Sequence, residues 1–137
     1  MIPGQVPADD RGLLLGDGLF ETLLARDGAI EDFERHLARM AAGCAVLGIG
    51  APDEAAARAA ATAALAEAGL GQGRAAVRLT LTSGSGRGLD RPLLTAGRLI
   101  AQATPAPDWR GPAALATVTV RRNQASPASR RARMLSR

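Results

Sequence analysis

Few residues in this chain could do chemistry. His36 is the one histidine, Cys44 the one cysteine, and all seventeen basic residues are arginine. Without lysine there is no side-chain primary amine, and a guanidinium stays protonated and cannot form a Schiff base. His36 is a candidate general base, but no serine or cysteine nucleophile is recognisably paired with it, so a packing or surface role is the plainer reading. Cys44 falls on an apolar helix face, where core packing is expected. Glu21 and Asp17 could pair as carboxylates; the plainer reading is a capped turn and a solvated strand position. The loop Ser83-Gly-Ser-Gly-Arg-Gly88 could present backbone N–H groups to an anion. It lacks the lysine of a Walker loop and no clear helix follows it, so an ordinary glycine-rich turn is expected. A single cysteine excludes an internal disulfide and a multi-cysteine zinc site, and no metal is expected.

The elements that must position these groups are legible in the periodicity. Leu19–Arg26 alternates as a strand, Asp27-Gly28 is a hairpin turn signal, and Ala29–Ile30 starts the return strand. Before them, residues 1–12 read as an irregular lead-in. From Asp32 the period changes. Phe33, Leu37, Met40, Cys44 and Leu47 line one face of a helix, with Asp32 as its cap and Gly48 and Gly50 to end it. His36 and Arg39 share a different, polar face. Pro52-Asp53 opens a second helix whose alanine-rich run continues to Ala68, where Gly69 stops it; alanine forms helix well but buries little. Ala75–Ser83 alternates, with Val77, Leu79 and Leu81 opposite Arg78, Thr80 and Thr82. Arg98–Thr104 and Leu115–Arg121 are further strand candidates, joined by a Pro-rich connection containing Trp109. The order β-β-α-α-β-β-β predicts an α+β fold, two helices against a mainly antiparallel sheet.

The 137 residues suit one modest domain. The hydrophobic share of 47% includes thirty alanines, and aromatics reach only 2%. The formal charge of +4 is lopsided. Residues 121–137 hold six arginines and no acid, leaving eleven arginines against thirteen acids before them. The expected division is therefore a small α+β domain over residues 1–121 and an arginine-rich linker or tail over 122–137. That tail could give salt-dependent affinity for polyanions, but it has no aromatic side chain for stacking and no recognition-helix pattern, so specific nucleic-acid reading is not expected. No apolar run approaches the roughly eighteen residues of a membrane span and no signal segment opens the chain, so a cytoplasmic protein is expected.

Two stretches are specific. Pro7-Ala-Asp-Asp-Arg-Gly-Leu-Leu-Leu-Gly-Asp-Gly-Leu-Phe-Glu-Thr22 and Phe33-Glu-Arg-His-Leu-Ala-Arg-Met40 closely resemble the amino-terminal part of the class IV, fold-type IV aminotransferases. That family includes branched-chain and D-amino acid aminotransferases and 4-amino-4-deoxychorismate lyase. Val77–Gly88 is similar to the following strand and loop of the lyase-like members, and Arg122-Asn123 with Ser126-Pro127 resembles the segment leading to their catalytic lysine. The resemblance covers about residues 6–131 and corresponds to the first half of a family protein.

The resemblance implies the small domain that closes over pyridoxal 5′-phosphate held mostly by a larger second domain. It implies transamination of an amino acid, or elimination of pyruvate from aminodeoxychorismate, by a homo-oligomer. Arg39 corresponds to the ligand of the cofactor phosphate, a job for which a guanidinium's fork can bind two oxygens at once. Phe20 corresponds to the aromatic wall on the substrate side, and Arg78 and Arg87 to substrate-carboxylate contacts. The family's lysine falls at Ala132, or at Arg133 with a one-residue shift. The expectation is an amino-terminal fragment without a catalytic residue, inactive by itself and not binding the cofactor covalently. The alternative is a free-standing small domain acting as a dimerisation or binding module with a weakly polyanion-binding tail.

Overall fold

This computed structural model describes residues 5–89, 97–107, 111–112 and 114–117. They carry α1 (Arg11–Leu15), β1 (Gly18–Arg26), β2 (Ala29–Ile30), α2 (Phe33–Leu47), α3 (Glu54–Glu67), β3 (Arg74–Thr82) and β4 (Arg98–Pro105). Asp27 and Gly28 have φ of 48° and 80°, the positive pair that a primed hairpin turn requires. β1 therefore folds back directly onto β2, pairing Arg26 with Ala29. The sheet order is β2-β1-β3-β4, antiparallel throughout. β2 reaches only Ala25 and Arg26, whereas β3 pairs with all nine residues of β1.

Alternation sorts the sheet into two faces. Leu23, Ala25, Val77, Leu79 and Leu81 are buried beneath the helices. α2 packs on β1, while α3 packs on β3 and β4. α2 contributes Phe33, Met40 and Cys44 to the core, as its four-and-three spacing predicts. From α3 come Ala57 and Ala61, both fully buried, so the alanine-rich helix approaches the sheet closely instead of driving long side chains into it. Asp53 caps α3 by accepting from the Ala56 N–H at 2.9 Å. Asp32 occupies the cap position of α2 but makes no side-chain cap bond, contrary to the expected role; its backbone is left-handed, with φ of 50°, where the capping Asp53 of α3 is extended.

The sequence pattern also missed a helix. Asp10-Arg11-Gly12 does not belong to an irregular lead-in, because Arg11–Leu15 is helical. The Asp10 carboxylate accepts from the Gly12 and Leu13 N–H groups, and Gly16 closes the turn with φ of 65°. Five residues are too few to show an apolar period. At the other end, residues 114–117 carry no regular structure. The remainder of the expected Leu115–Arg121 strand, Trp109, and residues 122–137 with Ala132 and Arg133 lie outside the described residues. No helix among the described residues is long and apolar enough to cross a membrane.

Candidate functional site

Glu21 follows Phe20 on β1, so alternation sends their side chains to opposite faces of the sheet. Glu21 is in phase with Leu19, Leu23 and Ala25 and lies under α2, its side chain 7% exposed. Two residues on the polar flank of α2 meet it. Arg39 donates through Nε to Oε1 at 2.7 Å and through Nη2 to Oε2. His36 Nδ1 stands 2.8 Å from Oε2, and for that contact to be a hydrogen bond Nδ1 must hold the proton, because an ionised carboxylate only accepts. Burial pushes the Glu21 carboxyl up, but hydrogen bonds from Arg39 and His36, together with their charge, outweigh it and hold it below its ordinary value. The same pairing with Glu21 raises Arg39.

Glu21 is therefore not the solvated strand position that its charge suggested, and it does not pair with Asp17. Asp17 belongs to a separate knot beneath α1. Its carboxylate accepts from Arg11 Nε at 2.9 Å and from Ser83 Oγ at 2.7 Å. Asp10, fully buried, accepts from Thr82 Oγ1 at 2.9 Å and from Arg98 Nε at 3.0 Å. Arg11 also donates to the carbonyls of Gly88 and Leu89, tying down the loop after β3. Gly12 sits so close above Thr82 that a Cβ there would collide with the Thr82 methyl group.

Three amides of that loop are turned into the protein and are not open to an anion. The Ser83 N–H donates to the Asp17 carbonyl, the Gly84 N–H to Thr82 Oγ1 and the Gly86 N–H to the Asp9 carbonyl. With these amides engaged inside the protein, the plainer reading of a glycine-rich turn holds. Arg87 stands exposed in the loop and does not line the cavity on the sheet's open face.

The open face carries Phe20, which pairs across to Thr80 and through it to Ile100. These side chains, with Arg78, Leu13 and Thr82, line a cavity of about 470 Å³. The Arg78 guanidinium lies over the Phe20 ring, 3.6 Å from its centroid. Phe20 and Arg78 are thus brought together on one face, and Arg39 is held on the other. Cys44 is buried in the core, which raises its thiol pKa, and no group of His, Cys, Asp and Glu among the described residues could hold a metal.

Glu21, Asp10, Arg11 and Asp17 were the residues whose positions sequence reasoning misjudged. Glu21 had a usable signal, since it keeps the phase of the buried residues of β1. The knot had none, because its partners lie up to 88 residues apart in the chain.

The chain matches the family described as amino-transferase class IV over residues 18–136. It is similar to the crystal structure of 4-amino-4-deoxychorismate lyase from Pseudomonas aeruginosa, with 41% identity and a TM-score of 0.65, covering 78% of this chain and 38% of that one. A fold IV transaminase from Curtobacterium pusillum gives 30% identity and a TM-score of 0.64, covering 79% and 35%. A hypothetical aminotransferase from Mycobacterium tuberculosis, solved in a PLP-bound form, gives 31% and 0.63, covering 78% and 37%. The chain thus spans less than two-fifths of the length of each of these three. No curated protein matches it.

Proposed function

The chain belongs to the class IV aminotransferase family, and from that premise we propose that it supplies the small-domain side of a pyridoxal-phosphate-dependent transaminase or aminodeoxychorismate lyase. The observation that carries this reading is the pair of arginines reached from adjacent positions of β1. Glu21 holds Arg39 beneath the sheet, and Phe20 holds Arg78 above it. The cofactor and its substrates bear anionic groups at their ends, a phosphate on one and carboxylates on the other, and guanidinium groups suit both.

The donors fit the phosphate in part. The Nε and Nη2 of Arg39 are engaged by Glu21, so the side-on fork is not open for two phosphate oxygens. The two N–H bonds of Nη1, which has no hydrogen-bond partner among the described residues, and the second N–H of Nη2 are left to meet the phosphate. Arg78 rests on a ring and keeps its N–H donors for a substrate carboxylate, with Phe20 as the apolar wall. Bound pyridoxal phosphate would supply the electron sink for reaction at the substrate's α-carbon. The chain's own residues would hold the phosphate, orient the carboxylate and exclude water along Phe20 and Ile100. No lysine is present to hold the cofactor covalently or to move a proton, so the chain alone is expected to be inactive.

The same reading extends to the chain's setting and organisation. Residues 1–121 form the small domain, with 122–137 as its basic extension, in a cytoplasmic protein. A homo-oligomer is supported by Leu13, Leu14 and Leu15, all exposed along α1 beside the cavity. Arg87 remains a candidate carboxylate contact from the loop rim.

Titrating purified chain with pyridoxal 5′-phosphate tests the proposal. Saturable binding that inorganic phosphate displaces and Arg39→Ala abolishes is expected. Binding indifferent to both would refute the phosphate reading. Keto-acid formation from an amino acid above a cofactor-only blank would refute inactivity.

A further inference from the structure

Arg39 has a long, flexible side chain on the flank of α2, yet its guanidinium is fixed along one edge. Both nitrogens of that edge donate to Glu21. Glu21 in turn occupies a core-facing position between Leu19 and Leu23, where an apolar side chain would remove no charge from water. A buried ion pair is often no more stabilising than an apolar residue of similar volume. Stability alone therefore does not account for a carboxylate at this point in β1. What the carboxylate does is orient Arg39.

We propose that Glu21 is the positioning residue for Arg39, gripping its Nε–H and one N–H of Nη2 so that the free end of the guanidinium, led by Nη1, is presented to a phosphate. The inference rests on the reading of Arg39 as a phosphate contact. It specifies how the contact works. Glu21 and Arg39 cancel in charge, so the site offers direction more than net attraction. The phosphate finds a guanidinium already held in place, and the ordering of the arginine side chain is not deferred to binding. His36 braces the same carboxylate from 2.8 Å, meeting Oε2 beside Arg39 Nη2, which lies 3.1 Å from its Nδ1.

Orientation and simple proximity of charge predict opposite signs. Glu21→Leu and Glu21→Gln each remove a negative charge near the phosphate. A bystander carboxylate would then give tighter binding. A positioning carboxylate gives weaker binding.

The test uses the full chain, titrated with inorganic phosphate at constant ionic strength, and reads the Arg39 Nε–Hε resonance by NMR. In the parent chain that resonance is expected to be protected from solvent exchange. In Glu21→Leu and Glu21→Gln the protection is lost and phosphate affinity falls about tenfold, as for the loss of one charge-assisted hydrogen bond. The leucine variant checks folding independently, because its thermal melt should stay cooperative. Unchanged or tighter phosphate binding in either folded variant, or retained protection of the Arg39 resonance, overturns the proposal. Arg39→Ala separates the two levels. If it leaves phosphate affinity intact, the phosphate reading fails and this inference falls with it. If it abolishes binding while the Glu21 variants keep it, only the positioning role fails.

Discussion

Arg39 and Arg78 stand on opposite faces of one sheet and are held by opposite means. Arg39 lies along a buried carboxylate, bound through two nitrogens, with a histidine bracing the acceptor. Arg78 lies on an exposed aromatic ring, which attracts its charge but accepts no directed hydrogen bond. The first arrangement fixes a guanidinium before any ligand arrives. The second stores one loosely, because a ring contact at the surface is exchanged for a carboxylate at small cost. The contrast is the one that the proposed function asks of the two arginines. Under that function, the cofactor phosphate needs one fixed reception, while a substrate carboxylate must be admitted and released.

The sharpest way to break this contrast is to remove each arginine. Arg39→Ala leaves Glu21 buried without its main partner and should destabilise the chain by about 2–3 kcal/mol. Arg78→Ala should cost less than about 1 kcal/mol, the range of an exposed cation–π contact. Urea midpoints decide it, and equal losses would end the comparison.

Acid titration sharpens the buried side. Glu21 is held below its ordinary value of 4.5. Its contribution to stability is complete above that value and disappears as pH falls through the lower, folded-state value. In Arg39→Ala burial acts with less opposition, the carboxyl rises, and this part of the pH dependence shrinks or reverses in sign. Side-chain carboxyl NMR of Glu21 reads the direction directly.

Two smaller effects concern the open side. Phe20→Leu combined with Arg78→Ala in a double-mutant cycle should give a coupling of about 0.5–1 kcal/mol. Cys44 offers the finest probe, since its buried thiol should react with a disulfide reagent only when α2 opens. Labelling should quicken in Arg39→Ala and stay at the parent rate in Arg78→Ala.

Most of the scaffold could be read from the chain. The period of Phe33, Leu37, Met40 and Cys44, the Asp27-Gly28 turn and the alternation of Val77, Leu79 and Leu81 each report a local rule that the tertiary structure obeys. The family motif singled out Arg39, Phe20 and Arg78. What escaped was partnership. Arg39 reads as an open fork until Glu21, eighteen residues earlier, is seen to occupy it. Asp10 and Thr82 look like unremarkable polar residues, because a hydrogen bond across 72 residues leaves no period in the sequence. The helix at Arg11–Leu15 was hidden for the opposite reason: it is held by its cap and its knot, not by an apolar stripe.

The shortness of β2 has a consequence for how β1 exchanges its amide hydrogens. The Leu24 carbonyl accepts from Glu31 on the outer edge, whereas the Asp17 carbonyl accepts from Ser83 on the inner edge. Backbone groups alternate along a strand, so odd-numbered residues of β1 bond inward to β3 and even-numbered residues face outward. Outward pairing ends at Leu24, which leaves the amides of Phe20 and Thr22 along an edge that no strand of the described sheet covers. Deuterium should therefore enter β1 as a comb, quickly at Phe20 and Thr22 and slowly at Leu19, Glu21 and Leu23. A partner strand laid along this edge would slow the fast teeth and leave the others unchanged.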